Sequence, residues 1–258
     1  MTDTILLYEE LSLNSHPALQ TELYDGWILR YADGYTKRAN SINPLYPSAL
    51  PLPEKIAECE RRMYFPPREK VPAAHGLPAI YKLTDGCDPA LDRELQLRGY
   101  AQADPTCVMG MDLRGREFPR GECVLVDHPD DEWINSFFAF EGLTDPVKMA
   151  AANRILENVR GRMLCGRVLR GGRTVACGSA VLERGYMALL NIVVDAPQRG
   201  RGYGREICGS LLHTARRLGA HTAYLQVVQA NTPARALYAS LGYKAMYGYW
   251  YRVGCRAL

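Results

Sequence analysis

Apolar positions recur along the chain with two periods, every second residue in some segments and at the spacing of one helix face in others. The run from 162 to 194 predicts three successive strands, joined by tight turns at Gly171–Gly172 and Arg184–Gly185. A helix is predicted over 203–218, because its apolar residues return at helical spacing. The residues expected on its buried face are Ile207, Leu211, Leu212, Ala215 and Leu218.

The rest of the chain continues this mixture of strands and helices. Further strands are predicted at 26–35, 78–84, 104–113, 123–128, 222–228 and 244–253, and a strand followed by a loop within 36–53. Further helices are predicted at 54–64, 90–100, 130–140, 145–159 and 232–242. The polar segment 114–122 contains Gly and Pro and predicts a linker. Hairpin strands combined with helices predict an α/β fold with a mixed sheet.

Composition narrows the class of protein. The 258 residues are 47% hydrophobic and 23% charged with a formal net charge of +3, which is typical of a globular protein and too mild for nucleic-acid binding. No apolar run approaches the roughly 20 residues that a membrane span needs, and the N-terminus lacks the pattern of an export signal. The sequence therefore predicts a cytoplasmic protein with no nucleic-acid or membrane partner.

The eight cysteines stand singly, without the paired spacing of a disulfide framework or a zinc site. They are Cys59, Cys87, Cys107, Cys123, Cys165, Cys177, Cys208 and Cys255. We expect reduced thiols in the core, and no metal site is predicted.

Two stretches of the chain align without gaps when it is shifted by 143 residues, the separation between Tyr81 and Tyr224. The aligned pairs are Tyr81 with Tyr224, Asp88 with Asn231, Leu95 with Tyr238, Gly99 with Gly242, and Tyr100 with Tyr243. In both copies a predicted strand leads to a short helix, a Gly-Tyr turn and a final strand. This order of elements predicts that one fold occurs twice in the chain.

The segment PQRGRGYGREI at 197–207 places three glycines between a predicted strand and a predicted helix. Such a junction leaves backbone N–H groups unpaired, and together with the helix dipole they form an anion site that glycine keeps open. A dinucleotide-binding fingerprint is excluded, since Arg205 and Ile207 stand where it needs glycine. A P-loop is excluded because no Lys-Ser or Lys-Thr follows these glycines. The spacing R-x-x-G-x-G is matched by Arg199, Gly202 and Gly204.

That spacing is the pyrophosphate loop of the GCN5-related N-acetyltransferases (GNATs), and residues 120–258 resemble this family. A second match is NTPARALYASLGY at 231–243, which fits the family's N-x-x-A-x-x-L-Y-x-x-x-G-[FY] pattern at all six fixed positions. The resemblance implies an α/β fold with a GNAT-like mixed, mostly antiparallel sheet flanked by helices. It also implies a catalytic GNAT domain at 120–258 and a degenerate GNAT-like domain at 1–113 that has no CoA loop.

By the same resemblance the protein is an enzyme, an N-acetyltransferase with acetyl-CoA as co-substrate. The acetyl group would pass to the primary amine of a small-molecule or amino-acid-like acceptor by direct attack. The implied cofactor-binding residues are Ile192, Val193, Val194, Arg199, Gly200, Arg201, Gly202, Tyr203, Gly204, Arg205 and Asn231. A strand bulge would aim the N–H of Val193 or Val194 at the thioester carbonyl, and Tyr238 would be the catalytic acid that protonates the departing thiolate.

The sequence does not identify the general base. Family members often place a carboxylate in the middle of the strand before the loop, where this chain has Ala188–Asn191. The nearest acids are Glu183 and Asp195, and a water held by Asn191 is a further option. The missing carboxylate leaves open a second function class, a non-catalytic acyl-CoA-binding sensor or regulatory module. A homodimer is also left open.

The N-terminal half lacks a phosphate loop at the matching place. Residues 43–55 are NPLYPSALPLPEK, in which prolines remove N–H donors and no G-x-G occurs. This half is therefore expected not to bind CoA. We expect it to complete the fold and to wall the acceptor site, with Trp27, Arg38 and Tyr46 as contacts.

Overall fold

The chain folds into two units that interleave along the sequence. The computed structural model describes residues 1–64 and 78–254. Unit 1 contains Met1–Thr106, Pro146–Asn158 and the chain from Tyr247 onward, and unit 2 contains Cys107–Asp145 and Val159–Met246. The predicted division into a degenerate half at 1–113 and a catalytic half at 120–258 stays a prediction, and the last four residues of the latter lie outside the described chain.

From residue 26 onward, helices and strands follow one another as the sequence pattern predicts. The helices are α1 (Asp3–Ser15), α2 (Leu52–Tyr64), α3 (Pro89–Leu97), α4 (Asp131–Glu141), α5 (Pro146–Glu157), α6 (Tyr203–Arg217) and α7 (Thr232–Leu241). The strands are β1 (Gln20–Tyr24), β2 (Trp27–Tyr31), β3 (Ile42–Pro44), β4 (Ile80–Thr84), β5 (Ala101–Asp112), β6 (Cys123–Val126), β7 (Arg162–Arg170), β8 (Arg173–Glu183), β9 (Tyr186–Val194), β10 (Thr222–Val228) and β11 (Lys244–Val253). The predicted α/β fold with mixed, mostly antiparallel strands is confirmed.

Unit 1 has the strand order β1-β2-β3-β4-β11. Its neighbouring strands are antiparallel except β3 and β4, which pair in parallel at Ile42 and Tyr81. Tyr81 lies at the centre of the core, with edge-to-face ring contacts to Trp27 at 5.9 Å and to Tyr100 at 5.5 Å. Aromatic pairs at these separations add to the free energy of apolar burial.

Unit 2 has the strand order β5-β10-β9-β8-β7-β6. Strands β6 to β9 are antiparallel, and β9 and β10 are parallel. The predicted buried face of α6 is confirmed at four of its five positions, Ile207, Leu211, Leu212 and Ala215. The prediction for Leu218 is wrong, because the helix ends at Arg217 and Leu218 is a 37% exposed cap residue.

The predicted repeat aligns residues that have matching places in the two units. Asp88 and Asn231 are the N-caps of α3 and α7, and each side chain accepts a backbone N–H of the first turn, at 2.9 Å and 3.2 Å. Gly99 and Gly242 follow these helices with φ of +82° and +105°, a conformation that favours glycine. In each unit the strand that contains the aligned tyrosine also has a parallel neighbour. These pairs are β3 with β4 and β9 with β10. That unit 1 is a degenerate copy stays a prediction.

Both predicted hairpin turns are confirmed. Gly171, Gly172, Arg184 and Gly185 have φ between +51° and +78°, as a two-residue turn that matches the strand twist requires. The predicted linker at 114–122 contains no helix or strand, and all of it is described. It nevertheless packs along α6, since the backbone N–H of Gly121 donates to Ser210 Oγ at 3.1 Å.

Two N-terminal elements, α1 and β1, were not predicted from the sequence. The residues that α1 buries are Tyr8, Glu9, Leu11, Ser12 and Ser15, of which three are polar. A helix with a polar buried face shows no apolar period, so the pattern cannot reveal it. β1 alternates between half-buried and exposed positions and forms the end of the strand order, where burial constrains the residue types least.

No helix in the described part of the chain is long and apolar enough to cross a membrane. Among the described residues, seven cysteines are free thiols, and Cys255 lies outside them. Burial raises the pKa of the Cys59, Cys165 and Cys208 thiols to about 12. These thiols therefore stay protonated at neutral pH and act as small apolar core residues.

The buried polar face of α1 supplies one partner of a buried ion pair in unit 1, the carboxylate of Glu9. Lys82 Nζ donates to Glu9 Oε2 at 2.5 Å, and the two side chains are 3% and 0% exposed. Tyr247 Oη donates to the other oxygen of Glu9 at 2.9 Å, and Lys82 Nζ lies 4.2 Å from the centre of the Tyr249 ring. Tyr247, Tyr249 and Tyr251 alternate along β11 and are all buried, so this face of the strand packs inside unit 1.

Breaking this pair from one side should be strongly destabilising. Lys82→Met leaves the Glu9 carboxylate buried without its cation, which costs about 3–5 kcal/mol of unfolding free energy. Lys82→Met combined with Glu9→Leu should cost clearly less than the sum of the two single changes. Urea denaturation of the four proteins measures this coupling. Additive losses would contradict the view that the two charges compensate each other.

Candidate active site

Strands β9 and β10 separate after a short parallel stretch. They pair at Tyr186 with Thr222, and this pairing ends at Ala188 with Tyr224. In the described chain no further pair joins them, although β9 runs on to Val194 and β10 to Val228. One edge of β9 is therefore open at its C-terminal end. An open edge offers backbone N–H and C=O groups to an extended ligand.

A β-bulge lies three residues after the last pair of β9 with β10. Cys177 pairs with Val193 and Ser179 with Leu190, so that Asn191 and Ile192 together oppose the single residue Gly178. Asn191 has φ of +55°, a left-handed conformation that asparagine tolerates. Its side-chain amide donates to Ser179 Oγ at 3.0 Å.

Helix α4 holds the bulge from one side. The indole Nε1 of Trp133, a fully buried side chain, donates to the carbonyl of Gly178 at 3.0 Å. Asp130 caps the helix, since its carboxylate accepts the Trp133 N–H at 2.7 Å. The sequence predicted α4 but gave no signal that Trp133 supports the bulge.

The position of the bulge bears on which of the implied strand residues, Ile192, Val193 or Val194, has its backbone N–H on the open edge of β9. The Asp195 N–H donates to the Val175 carbonyl at 3.0 Å, which directs Asp195 toward β8. Backbone groups alternate along a strand, so Val193 also faces β8, and Val194 and Ile192 face the open edge. The Val194 carbonyl is in contact with Arg199 Nε at 3.3 Å, as this direction requires.

The glycine loop continues from β9 through a 3-10 turn at Ala196–Gln198 and ends at α6. Gly200 and Gly202 have φ of +77° and +86°, and a Cβ at either position would meet no atom within 4 Å. Within the described residues, the backbone N–H groups of 200–204 have no acceptor. The loop therefore presents unpaired donors at a helix N-terminus, on a surface that glycine leaves open, as an anion site requires.

Side chains at the start of α6 fasten the loop to the rest of unit 2. Arg205 donates to Ser240 Oγ of α7 at 2.5 Å. Glu206 accepts from Arg170 at 2.6 Å, and the Arg170 guanidinium lies 5.0 Å from the centre of the Tyr203 ring. All three predicted arginines are exposed, although Arg199 contacts the Val194 carbonyl and Arg205 the Ser240 hydroxyl.

Helix α7 supplies Asn231 and Tyr238, seven residues apart and hence on nearly the same face. Asn231 is an N-cap, exposed to solvent. Tyr238 is 9% exposed, packs at 6.0 Å from the Tyr243 ring, and its hydroxyl has no hydrogen-bond partner in the described chain. Burial holds the pKa of Tyr238 well above its usual value, so this phenol stays protonated at neutral pH.

Glu183, Asp195 and Asn191 are the groups near β9 that the sequence offers for proton removal, and each has contacts of its own. Glu183 lies 3.5 Å from Arg184 in the β8–β9 turn. Asp195 begins the 3-10 turn, where its carbonyl accepts the Gln198 N–H at 2.8 Å. Asn191 uses its amide to fix the bulge. Asp195 thus follows the last residue of β9 directly, whereas Glu183 lies at the opposite end of that strand.

The corresponding loop of unit 1 is filled by an internal anion. The carboxylate of Asp25 accepts from Ser48 Oγ at 2.6 Å, from the backbone N–H groups of Ala49 and Leu50 at 3.1 Å and 3.0 Å, and from Lys55 Nζ at 3.0 Å. The hydrogen bonds from Ser48 and the loop hold the pKa of Asp25 well below its usual range. An external phosphate would have to displace this carboxylate, which supports the expectation that unit 1 does not bind CoA.

The three residues expected to contact an acceptor have partners inside unit 1. Trp27 is buried beneath the Lys55 ammonium, which lies 4.1 Å from its ring centre. Tyr46 Oη donates to Glu10 at 3.0 Å. The backbone carbonyl of Arg38 accepts from Arg30 at 2.6 Å. These contacts are structural, and the acceptor role stays a prediction.

The left-handed residue at the bulge gives a stability prediction. Asn191→Gly and Asn191→Ala both remove the amide, and they differ only in the Cβ that a positive φ disfavours. We expect the alanine variant to be about 1–2 kcal/mol less stable than the glycine variant. Urea denaturation measures the difference. Equal stability would mean that the backbone of the bulge relaxes at no cost.

Solved structures of other proteins share this fold. A GCN5-related N-acetyltransferase from Kribbella flavida matches with a TM-score of 0.64 at 14% identity, over 96% of this chain and 95% of that one. A tandem GNAT protein from the clavulanic acid biosynthesis pathway matches with a TM-score of 0.54 at 15% identity, over 72% and 65%. At such identities the likeness shows the GNAT fold alone.

Sequence comparison covers nearly the whole chain. The uncharacterized N-acetyltransferase YobR of Bacillus subtilis (strain 168) is 27% identical, over 97% of this chain and 99% of that protein. The model of a family described as "Probable histone acetyltransferase Rv0428c C-terminal" matches residues 2–252. The chain therefore belongs to this family, and it is an N-acetyltransferase of the GNAT fold.

Proposed function

We propose that the protein transfers the acetyl group of acetyl-CoA to the primary amine of a small-molecule or amino-acid-like acceptor, by direct attack of the amine on the thioester. One observation carries the proposal. The open edge of β9 after the bulge leads directly into a loop of unpaired N–H groups at the start of α6. A long substrate with an amide-containing arm and a pyrophosphate matches both parts in this order.

The loop would hold the pyrophosphate. Its N–H groups at 200–204 donate to the phosphate oxygens, and the positive end of the α6 dipole adds to the attraction. Arg199 and Arg201 supply positive charge from exposed positions. The contact of Arg199 with the Val194 carbonyl would exchange for a contact with the substrate.

The free edge of β9 would hold the arm of the substrate like an added strand. Ile192 and Val194 offer backbone groups on this side, whereas Val193 is paired to β8. The N–H of Ile192 lies within the bulge and would stabilise the oxyanion that forms at the thioester carbonyl. Asn231 would contact the arm from the start of α7 while it caps that helix.

The leaving group needs a proton, which Tyr238 would supply. When the amine attacks the carbonyl carbon, the C–S bond breaks and a thiolate leaves. The raised pKa of Tyr238 keeps its phenol in the donating form at neutral pH. The hydroxyl has no competing partner in the described chain, so it is available to the sulfur.

The identity of the acceptor is the open part of the function. The matched family is described as a probable histone acetyltransferase, which would act on lysine side chains of a protein. Such a side chain presents a primary amine, as a small-molecule acceptor does. Thiol release from acetyl-CoA should therefore be measured with lysine, spermidine, an aminoglycoside and a lysine-containing peptide. Calorimetry on the same sample should detect acetyl-CoA binding.

Binding with thiol release for one class of amine would support the transferase and identify its acceptor. Binding without release would favour the acyl-CoA sensor. Absence of binding would contradict the assignment of the loop.

Tyr238→Phe should lower kcat by about 10²–10⁴-fold, the usual contribution of a general acid, and leave the Kd for acetyl-CoA unchanged. Tyr243→Phe is a matched control, since Tyr243 is a neighbouring buried tyrosine whose hydroxyl has no partner among the described residues. The control should keep its kcat. Equal rates in both variants would show that the Tyr238 phenol does not donate the proton.

A further inference from the structure

The two faces of the unit 2 sheet differ around the bulge. A Cβ at Gly178 would meet Ile192 and Ile207, so Gly178 faces α6. Its neighbours in β8, Cys177 and Ser179, point to the opposite face because strand residues alternate. Asn191 shares that face, since its amide donates to Ser179 Oγ.

Helix α4 covers this second face. Trp133 and Phe137 are buried and stack at 5.1 Å between ring centres, and the Trp133 indole is bound to the Gly178 carbonyl. Glu141 follows Phe137 by four residues and the buried Phe138 by three, and such spacings fall on one side of a helix. Glu141 is also the last residue of α4, because Gly142 with φ of +67° ends the helix. Its side chain is directed to the same sheet face as Asn191, from the end of the helix.

The Glu141 carboxylate interacts electrostatically with groups of the glycine loop and of β8. Among the described residues, the titratable and charged groups that act on it are Arg199 of the loop and Cys177 of β8, beside the bulge. Desolvation by neighbouring protein atoms raises the pKa of Glu141, and Arg199 opposes this effect. Glu141 is nevertheless exposed to solvent, so an acceptor can reach it. Burial raises the pKa of Cys177, which stays an uncharged thiol.

We infer that Glu141 is the general base of the transfer. It takes the proton from the ammonium of the acceptor, which frees the nitrogen lone pair. The nitrogen then bonds to the thioester carbonyl carbon, the C–S bond breaks, and Tyr238 protonates the sulfur. The nitrogen of the new N–C bond then loses its second proton to the Tyr238 tyrosinate. Amide, free thiol and a protonated Glu141 result, and the carboxyl returns its proton to water.

This assignment rests on the proposed function and supplies the group that the strand lacks. A base with a raised pKa is better matched to neutral pH than an ordinary carboxylate. The neighbouring Asn191 and Ser179 are polar but do not titrate near neutral pH, so they cannot replace it.

The test compares wild type, Glu141→Gln and Glu141→Asp, with the amine of the panel above that gives wild-type turnover. Glu141→Gln should lower kcat/KM by about 10²–10⁴-fold and leave the Kd for acetyl-CoA unchanged. In wild type, kcat/KM should fall as the pH drops through the raised pKa of Glu141, because the protonated acid cannot accept a proton. This acidic limb should be absent in Glu141→Gln and present in Glu141→Asp. Glu183→Gln is the matched control, since Glu183 lies in a turn beside Arg184.

Two outcomes would overturn the assignment, and they are distinguishable. Wild-type turnover with an unchanged rate and pH profile in Glu141→Gln would remove Glu141 from the mechanism and leave the transferase intact. If the wild type released thiol with none of the amines in the panel, that result would contradict the proposed function itself, and the role of Glu141 with it. Rescue of Glu141→Ala by added acetate would support proton transfer, because a merely structural role does not respond to a free carboxylate.

Discussion

The pairing of two β9 residues with one residue of β8 is the constraint on which the site depends. Asn191 accepts a left-handed backbone, and Ser179 and Trp133 hold the two sides of the bulge in place. The extra residue bends the strand just beyond its last pair with β10, in the part of β9 whose edge is open. Without that separation, the loop and α7 would lie beside a fully paired sheet that has no free backbone groups for a substrate.

The two units solve the same local problem in opposite ways. Each has a parallel strand pair followed by a loop that begins a helix, and each loop directs N–H groups outward. In unit 1, Asp25 provides the negative charge from within the chain, and Lys55 neutralises it. In unit 2, glycines keep the donors uncovered. A loop that is satisfied internally contributes to stability, whereas one that is left unpaired is available for binding.

Elements with a strong local signal were predictable from the sequence. The Gly171–Gly172 and Arg184–Gly185 turns need positive φ, and α6 shows an apolar period, so local chemistry decides both. Helix α1 could not be found because it buries Glu9, whose partners Lys82 and Tyr247 come from distant strands. The serines that it buries bond to carbonyls of the same helix. The inclusion of α5 in unit 1 and the register of the bulge depend on tertiary packing, which leaves no local pattern.

The surroundings of β9 limit where in this strand a base could stand. Ala188 and Leu189 are 1% and 4% exposed, so a carboxylate at either position would lose its hydration without gaining a partner. Leu190 and Asn191 are half-buried, and Asn191 is already engaged by Ser179 in the bulge. The end of a helix gives a different balance, because Glu141 is partly desolvated by the protein, partly hydrated, and attracted by Arg199. A carboxylate there can shift its pKa upward and still ionise in the range where an amine acceptor binds.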